Sequence, residues 1–237
     1  MRKTLFHFLI NLKDIVFACT FKMLDYKYKN DDVLEVGVDE VARGCLFGRL
    51  YTAAVILPVD KDDLFDHGAS LHCINDSKKL SKRKRQIVYD YVKEIALDWN
   101  VSFAESQEID DINVLQADLA CMRRSVSALQ FTPGRILIDG DRSPFKDNAE
   151  IEHILVTKGD AKYISIAAAS IMAKVEHDQW INDLCAVNPD FDTKYGLLSN
   201  MGYGTATHMK GLKEHGATSY HRRSFKPVAA VVGWSGE

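Results

Sequence analysis

The stretch Leu34-Glu-Val-Gly-Val-Asp39, followed directly by Glu40-Val-Ala-Arg-Gly44, decides the fold of this chain. Apolar residues alternate up to Asp39, the period of a strand with one face on a core. Two acids end the strand and a glycine turn follows. Tyr51–Leu57 is an unbroken β-favouring run and reads as a second strand. Ser81 is a helix cap, and Ile87, Val88, Tyr91, Val92 and Ile95 share one face of a helix running to about Leu97. Val101–Ala104 reads as a short strand, and Ile112–Leu129 as one long helix stopped before Pro133-Gly134. Arg135–Asp139 is an apolar strand ending in an acid, and Ile151–Val156 is another, running into Lys158-Gly159-Asp160. A helix over Ile164–Cys185 carries Ala167-Ala168-Ala169-Ser170, small enough for close backbone approach. Thr205–His215 is a further helix, ended by Gly216. The order β, β, α, β, α, β, β, α specifies an α/β domain with a mixed sheet.

Composition sets the outer limits. The 237 residues are 27% charged and 46% hydrophobic, which excludes a disordered, collagen-like or multi-span membrane chain. The net charge of −3 gives no global basic field, so nucleic-acid binding requires a local patch. The cysteines at 19, 45, 73, 121 and 185 form no CxxC pair, which points to reduced thiols, a cytoplasmic location and no cysteine zinc site. Residues 1–32 read as an N-terminal extension. Lys13 and Asp14 interrupt its apolar run, so it is no membrane span. Leu5, Leu9, Leu12, Ile15, Val16 and Cys19 follow helical spacing, and two readings stay open: an amphipathic packing helix or a targeting segment. Residues 33–237 form the main domain, with a helical C-terminal part from about residue 187.

Three strands finish in carboxylates: Asp39-Glu40, Asp139 and Asp160. One such aspartate is explained by a turn that bonds its own backbone. Three together are not, because strand ends of an open α/β sheet are where sites form. Clustered carboxylates repel unless cations lie between them. Oxygen ligands without His or Cys suit Mg²⁺ or Mn²⁺, and two such ions suit phosphoryl transfer. Around the acids, Gly44 and Gly48 let backbone approach a ligand. Lys78 and Lys79 precede the basic run Lys82-Arg83-Lys84-Arg85 and are candidate phosphate contacts. His221-Arg222-Arg223-Ser224-Phe225-Lys226 is a second basic cluster. Tyr203 lies in a glycine turn at a helix start, either packed or stacked on a nucleotide.

Taken together, VGVDEVARG (36–44), NDSKKLS (75–81), EIDDINVLQA (108–117), ILIDGDR (136–142), KGDAKYISIAAASIMAKVEHD (158–178) and YGLLSNMGYGTATHMKGLKEHGATSYHRRSFKPV (195–228) resemble ribonuclease HII, the type 2 ribonuclease H family. The resemblance implies an RNase H-like fold: a mixed central sheet flanked by helices, with a helical C-terminal region. It implies a monomeric endonuclease that hydrolyses the RNA strand of RNA–DNA hybrids. It also implies incision 5′ of ribonucleotides in duplex DNA, leaving 3′-hydroxyl and 5′-phosphate ends, with two Mg²⁺ or Mn²⁺ ions. The family's four acids fall on Asp39, Glu40, Asp139 and Asp160, Asp39 bridging the ions. The family's Gly-Arg-Gly turn, whose backbone reads the ribose 2′-hydroxyl, falls on Ala42, Arg43 and Gly44. The junction-reading tyrosine falls on Tyr203, and Lys78, Lys79, Ser170 and Lys174 match positions near the phosphates. Alternatives are a non-catalytic hybrid-binding protein or another carboxylate nuclease; 32 residues are too few for the platform domain of a ribonuclease HIII.

Two positions depart from the family pattern. Gly204 stands where proline is common, and Ala42 where glycine is usual. Alanine at positive φ is costly, so Ala42 is expected at negative φ with its methyl turned from the ribose.

Overall fold

A computed structural model describes residues 23–64, 71–146 and 151–235. The amphipathic reading of residues 5–19 lies outside the described residues. Five strands form one mixed sheet: β1 (Glu35–Val41), β2 (Leu50–Ile56), β3 (Asp98–Ala104), β4 (Arg135–Asp139) and β5 (Glu152–Val156), in the order β3-β2-β1-β4-β5. The β1–β2 and β2–β3 pairs are antiparallel, whereas β1–β4 and β4–β5 are parallel. Helices α1 (Lys82–Ile95) and α4 (Ile164–Val187) cover one face, packing on Tyr51, Ala53 and Val55. Helices α2 (Ser106–Ile112) and α3 (Val114–Ser127) lie on the other face, where α3 places Met122 and Val126 against Val36, Val38, Ala54, Ile56, Ile136 and Ile138. This is the α/β architecture the strand–helix order specifies, with alternate residues of β2 serving opposite faces.

The long helix expected over 112–129 is two helices. Asn113 breaks the run at φ +65°, and its side-chain oxygen accepts from the Leu115 and Gln116 amides to cap α3. Its capping bonds offset a backbone, φ +65° with ψ 160°, that lies outside the left-handed helical well and is costly for a residue with a side chain. The helix expected to reach Leu97 ends at Ile95, because Leu97 and Asp98 turn into β3.

Beyond α4 the chain is helical: α5 (Asp190–Tyr195), α6 (Leu197–Asn200), α7 (Ala206–His215, capped by Thr205) and α8 (Lys226–Val232). Phe47 anchors this part, packing with Ile181, Cys185, Tyr195 and Leu197. At the other end, residues 23–32 lie against the sheet. The Asp25 amide donates to the Lys162 carbonyl, and Ile164 returns a bond to Asp25 at the start of α4. Buried Arg135 joins this segment to the sheet through Asp31 (2.8 Å), Glu35 (2.5 Å) and Glu152 (2.7 Å). Among the described residues, no helix is long and apolar enough to cross a membrane.

One glycine sets how closely α4 lies on β1. A Cβ on Gly37 would stand 2.2 Å from the Ser165 carbonyl carbon. Backbone on both sides leaves nothing flexible to give way, so Gly37→Ala must displace α4. Its expected cost is about 3 kcal/mol or more, read by urea unfolding. A loss below 1 kcal/mol, which is under the ordinary range for overpacking, would show that the approach is not constraining.

Candidate active site

The register of β1 on β4 creates the acid cluster. Val38 pairs with Ile138 in a parallel ladder, so the next residues, Asp39 and Asp139, stand side by side where β1 and β4 part, each still paired to its other neighbouring strand. Glu40 follows on the same strand. One oxygen from each of Asp39, Glu40 and Asp139 lies within 4.8 Å of the others. The Asp39 carboxylate accepts from the Glu40 amide at 2.7 Å, and Asp139 from the Gly159 amide at 2.7 Å. The second bond ties β4 to the turn carrying Asp160. Asp160 lies outside the three-oxygen group, and Lys78 approaches it at 3.9 Å.

Burial dominates the electrostatics. It raises Asp39 well above the usual carboxylate range, and the charges of Glu40 and Asp139 push the same way. Glu40 is raised by burial, reinforced by Asp139. Asp160 is raised by burial and by Asp139 and Asp76, with Lys78 opposing. Such a set holds protons in the absence of a cation and releases them when one binds. Three crowded oxygen donors without nitrogen or sulfur fit a hard divalent ion.

A cavity of about 350 Å³ opens over these acids. Asp39, Glu40, Asp139, Ala42, Arg43, Gly44, Lys78, Ser170, Lys174 and Tyr203 line it, so ten of the twelve residues singled out in the sequence share one space. Lys79 is not among them; its amine points to Asp76 at 4.0 Å. Asp160 is beside the cavity rather than on its lining. The Ser170 hydroxyl bonds Ser77 (3.1 Å), and Lys174 bonds Asp178 (2.7 Å). Tyr203 is 39% exposed at the mouth, with its ring against the Gly44 turn.

Several residues here were not identified from the sequence. Ser77 and Arg85 line the cavity, and Arg85 bonds the Ser77 and Leu80 carbonyls as well as Asp178. Arg222, which the sequence places in a basic cluster, is fully buried. Its guanidinium donates to the carbonyls of Gly48 (3.0 Å), Ala42 (2.8 Å) and Arg43 (3.0 Å), and burial lowers its pKa to about 10. Asp118, on α3, is 2% exposed and 3.6 Å from Arg43, and one of its oxygens has no hydrogen-bond partner. An acid on the apolar stripe with Ala117, Cys121 and Met122 was the available signal.

The expectation for Ala42 is overturned: its φ is +68°. The turn keeps the glycine-like backbone although the side chain is alanine. Arg222, gripping the Ala42 carbonyl, holds that conformation in place. The residue is only 1% exposed, so its methyl faces protein and not the cavity.

The family model "Ribonuclease HII" matches residues 36–228. A ribonuclease HII of Phocaeicola vulgatus is 44% identical over 199 residues, 84% of this chain and 92% of that protein. The crystal structure of ribonuclease H2 from Pyrococcus horikoshii OT3 superposes with a TM-score of 0.67 at 24% identity, covering 84% of this chain and 96% of the other. The ribonuclease HII of Archaeoglobus fulgidus, solved in complex with PCNA, gives 0.66 at 25% identity, covering 83% and 96%. The fold is thus that of the type 2 ribonucleases H. The chain belongs to the ribonuclease HII family, and it is an enzyme of the ribonuclease H class.

Two outcomes are expected from this geometry. Ala42→Gly removes about 1–2 kcal/mol of left-handed strain and restores about 0.5–1 kcal/mol of chain entropy to the unfolded state. Its midpoint should therefore rise, by up to about 6 °C, while cleavage of an RNA–DNA hybrid changes less than about tenfold. A lower midpoint, or a larger gain in cleavage, contradicts this. The second outcome concerns Asp118, raised to about 7 by burial and by Glu40, with Arg43 opposing. A raised carboxyl favours the folded state while protonated and penalises it once ionised. Asp118→Asn should therefore gain stability relative to the parent as pH rises from about 4 to about 7, by at most about 4 kcal/mol. Metal-free urea unfolding at both ends of that window reads the difference; a constant offset refutes it.

Proposed function

We propose that the chain hydrolyses the RNA strand of RNA–DNA hybrids and incises duplex DNA 5′ of single ribonucleotides. The observation that supports this reading is the convergence of Asp39, Glu40 and Asp139 with the 42–44 turn and Tyr203 around one cavity. Asp39, Glu40, Asp139 and Asp160 are the groups we assign to hold divalent cations, Mg²⁺ or Mn²⁺ and two in number. Such ions supply a nucleophile from water at neutral pH and neutralise charge at the scissile phosphate. Asp39, clustered with both Glu40 and Asp139, would be the ligand the two ions share. Lys78, Lys174 and Arg43 meet backbone phosphates, and Ser170 orients the Asp39 carboxylate. Arg222 occupies the carbonyls of Ala42 and Arg43, so the amides of Arg43 and Gly44 are the groups we assign to the ribose 2′-hydroxyl. Tyr203 stacks on the sugar that follows the ribonucleotide. The buried free thiols Cys45, Cys121 and Cys185 support a reducing, cytoplasmic setting.

The test uses a duplex with one ribonucleotide and a long hybrid, each with Mg²⁺, with Mn²⁺ and with chelator. Cleavage on the 5′ side of the ribonucleotide, abolished by chelator, is expected. Asp39→Asn should lower turnover by about 10³-fold or more while hybrid binding persists. Undiminished metal-dependent cleavage by that variant refutes the ligand assignment, and hybrid binding without any cleavage by the parent refutes the reaction.

A further inference from the structure

Two buried histidines lie behind Tyr203 with their protons already assigned by their partners. The Thr218 amide can only donate, and it meets His221 Nδ1 at 2.9 Å. His221 therefore carries its proton on Nε2. That proton points at His208 Nε2, 3.1 Å away, which must accept. His208 then carries its proton on Nδ1 and donates it to the Tyr203 carbonyl at 3.0 Å. Each link is satisfied only when both rings are neutral and each adopts one tautomer. Burial lowers His221 to about 3 and lowers His208 as well, so both are neutral at ordinary pH. The rings are enclosed by Phe47 and Tyr195, with centroids 5.0 and 4.9 Å from that of His221.

The chain of bonds ends at a meaningful place. The Tyr203 carbonyl also accepts from the Thr205 amide at 2.8 Å, so both of its lone pairs are engaged. Residue 203 is bridged to Cys45, just after the 42–44 turn, and Phe47 is bridged to His221. The next residue, Arg222, holds the carbonyls of Ala42 and Arg43. One dipeptide, His221-Arg222, thus grips both elements that face the substrate. Arg222 fixes the turn and His221, through His208, fixes the tyrosine.

We infer that the His208–His221 pair is a positioning device that registers the Tyr203 ring against the 42–44 turn and so sets selectivity for ribonucleotide–DNA junctions. It rests on the role given to Tyr203 above. The pair touches no substrate; it acts through the backbone that carries the ring. Its removal therefore lowers kcat for a junction, where the ring must sit exactly. Long-hybrid cleavage, which offers many registers, is affected less.

The first measurement uses the unmodified protein. Long-range ¹H–¹⁵N correlation at pH 7 should show His221 protonated on Nε2 and His208 on Nδ1. The opposite tautomer on either ring, or a charged ring, overturns the inference. The second uses His221→Asn, whose amide oxygen still accepts from Thr218 but falls short of His208. The ratio of single-ribonucleotide incision to long-hybrid cleavage should fall about tenfold, in kcat more than KM. Equal loss on both substrates identifies a purely structural pair and overturns the inference. In a Tyr203→Ala background the same substitution should leave the ratio unchanged, and a further tenfold fall there also overturns it. The outcomes separate the two levels. If Tyr203→Ala alone leaves the ratio intact, the reading of Tyr203 itself fails. If it lowers the ratio and His221→Asn does not, only the histidine pair is refuted.

Discussion

The approach of α4 to β1 at Gly37 is the constraint on which the rest depends. The helix backbone at Ser165 occupies the space a side chain on β1 would take. From there the small residues Ala167, Ala168 and Ala169 carry the helix across the sheet. Ser170 arrives beside Asp39, and Lys174 follows one turn later on the same side. The turn before the helix delivers Asp160, anchored by the Gly159 bond to Asp139. A wider separation would leave the acids of β1 and β4 in place and remove the polar groups above them.

The charges in this cleft are paired in a way that explains how a polyanion enters. Lys78 is near Asp160, Arg43 near Asp118, and both Lys174 and Arg85 meet Asp178. The cavity itself is lined by four cations, Arg43, Lys78, Arg85 and Lys174, against three carboxylates, Asp39, Glu40 and Asp139, and each of the four cations is drawn to a carboxylate behind the lining. The surface by itself therefore offers a polyanion little net positive charge, and a bound divalent cation would add to it. The raised pKa values of Asp39, Glu40 and Asp160 are the same fact seen from the protein side: burial and crowding disfavour the charged form until a cation offsets them.

Much of this was legible in the sequence, and the parts that were not share a cause. Alternation marks β1, unbroken β-favouring or apolar runs mark β2, β4 and β5, Val101–Ala104 marks the second half of β3, and strand ends mark the acids, because each depends on residues near in sequence. Thr205 and Gly216 bound α7 as their capping chemistry requires. Asn113 is not legible as a break because a cap inside a helical pattern looks like an interior polar residue. Arg222 reads in the sequence as one of a basic cluster with Arg223 and Lys226, and nothing local says that it reaches three carbonyls near residue 45. Asp118 is the reverse case: its position on an apolar stripe announced burial, but its partner Arg43 is distant in sequence. At Ala42 the intrinsic preference for negative φ is overridden by tertiary bonds.

The backbone itself records where that override is concentrated. Four non-glycine residues have positive φ among the described residues: Ala42, Asn113, Lys158 and Met201. Asn113 is explained by its own cap. The other three lie at or within two residues of Ala42, Asp160 and Tyr203. Left-handed backbone costs about 1–2 kcal/mol per ordinary residue, and it persists only where surrounding contacts determine it. Each of the three has such contacts. Arg222 holds Ala42, the Gly159–Asp139 bond follows Lys158, and the Met201 carbonyl receives the Cys45 thiol while Gly202 bonds Leu46. Strain and its restraints therefore coincide with the cleft and are sparse elsewhere. A fold selected for stability alone would place glycine at these positions. That it places alanine, lysine and methionine there, each clamped, indicates that the restraints were stiff enough to tolerate the cost, which is the stiffness a site needs to hold several groups in register.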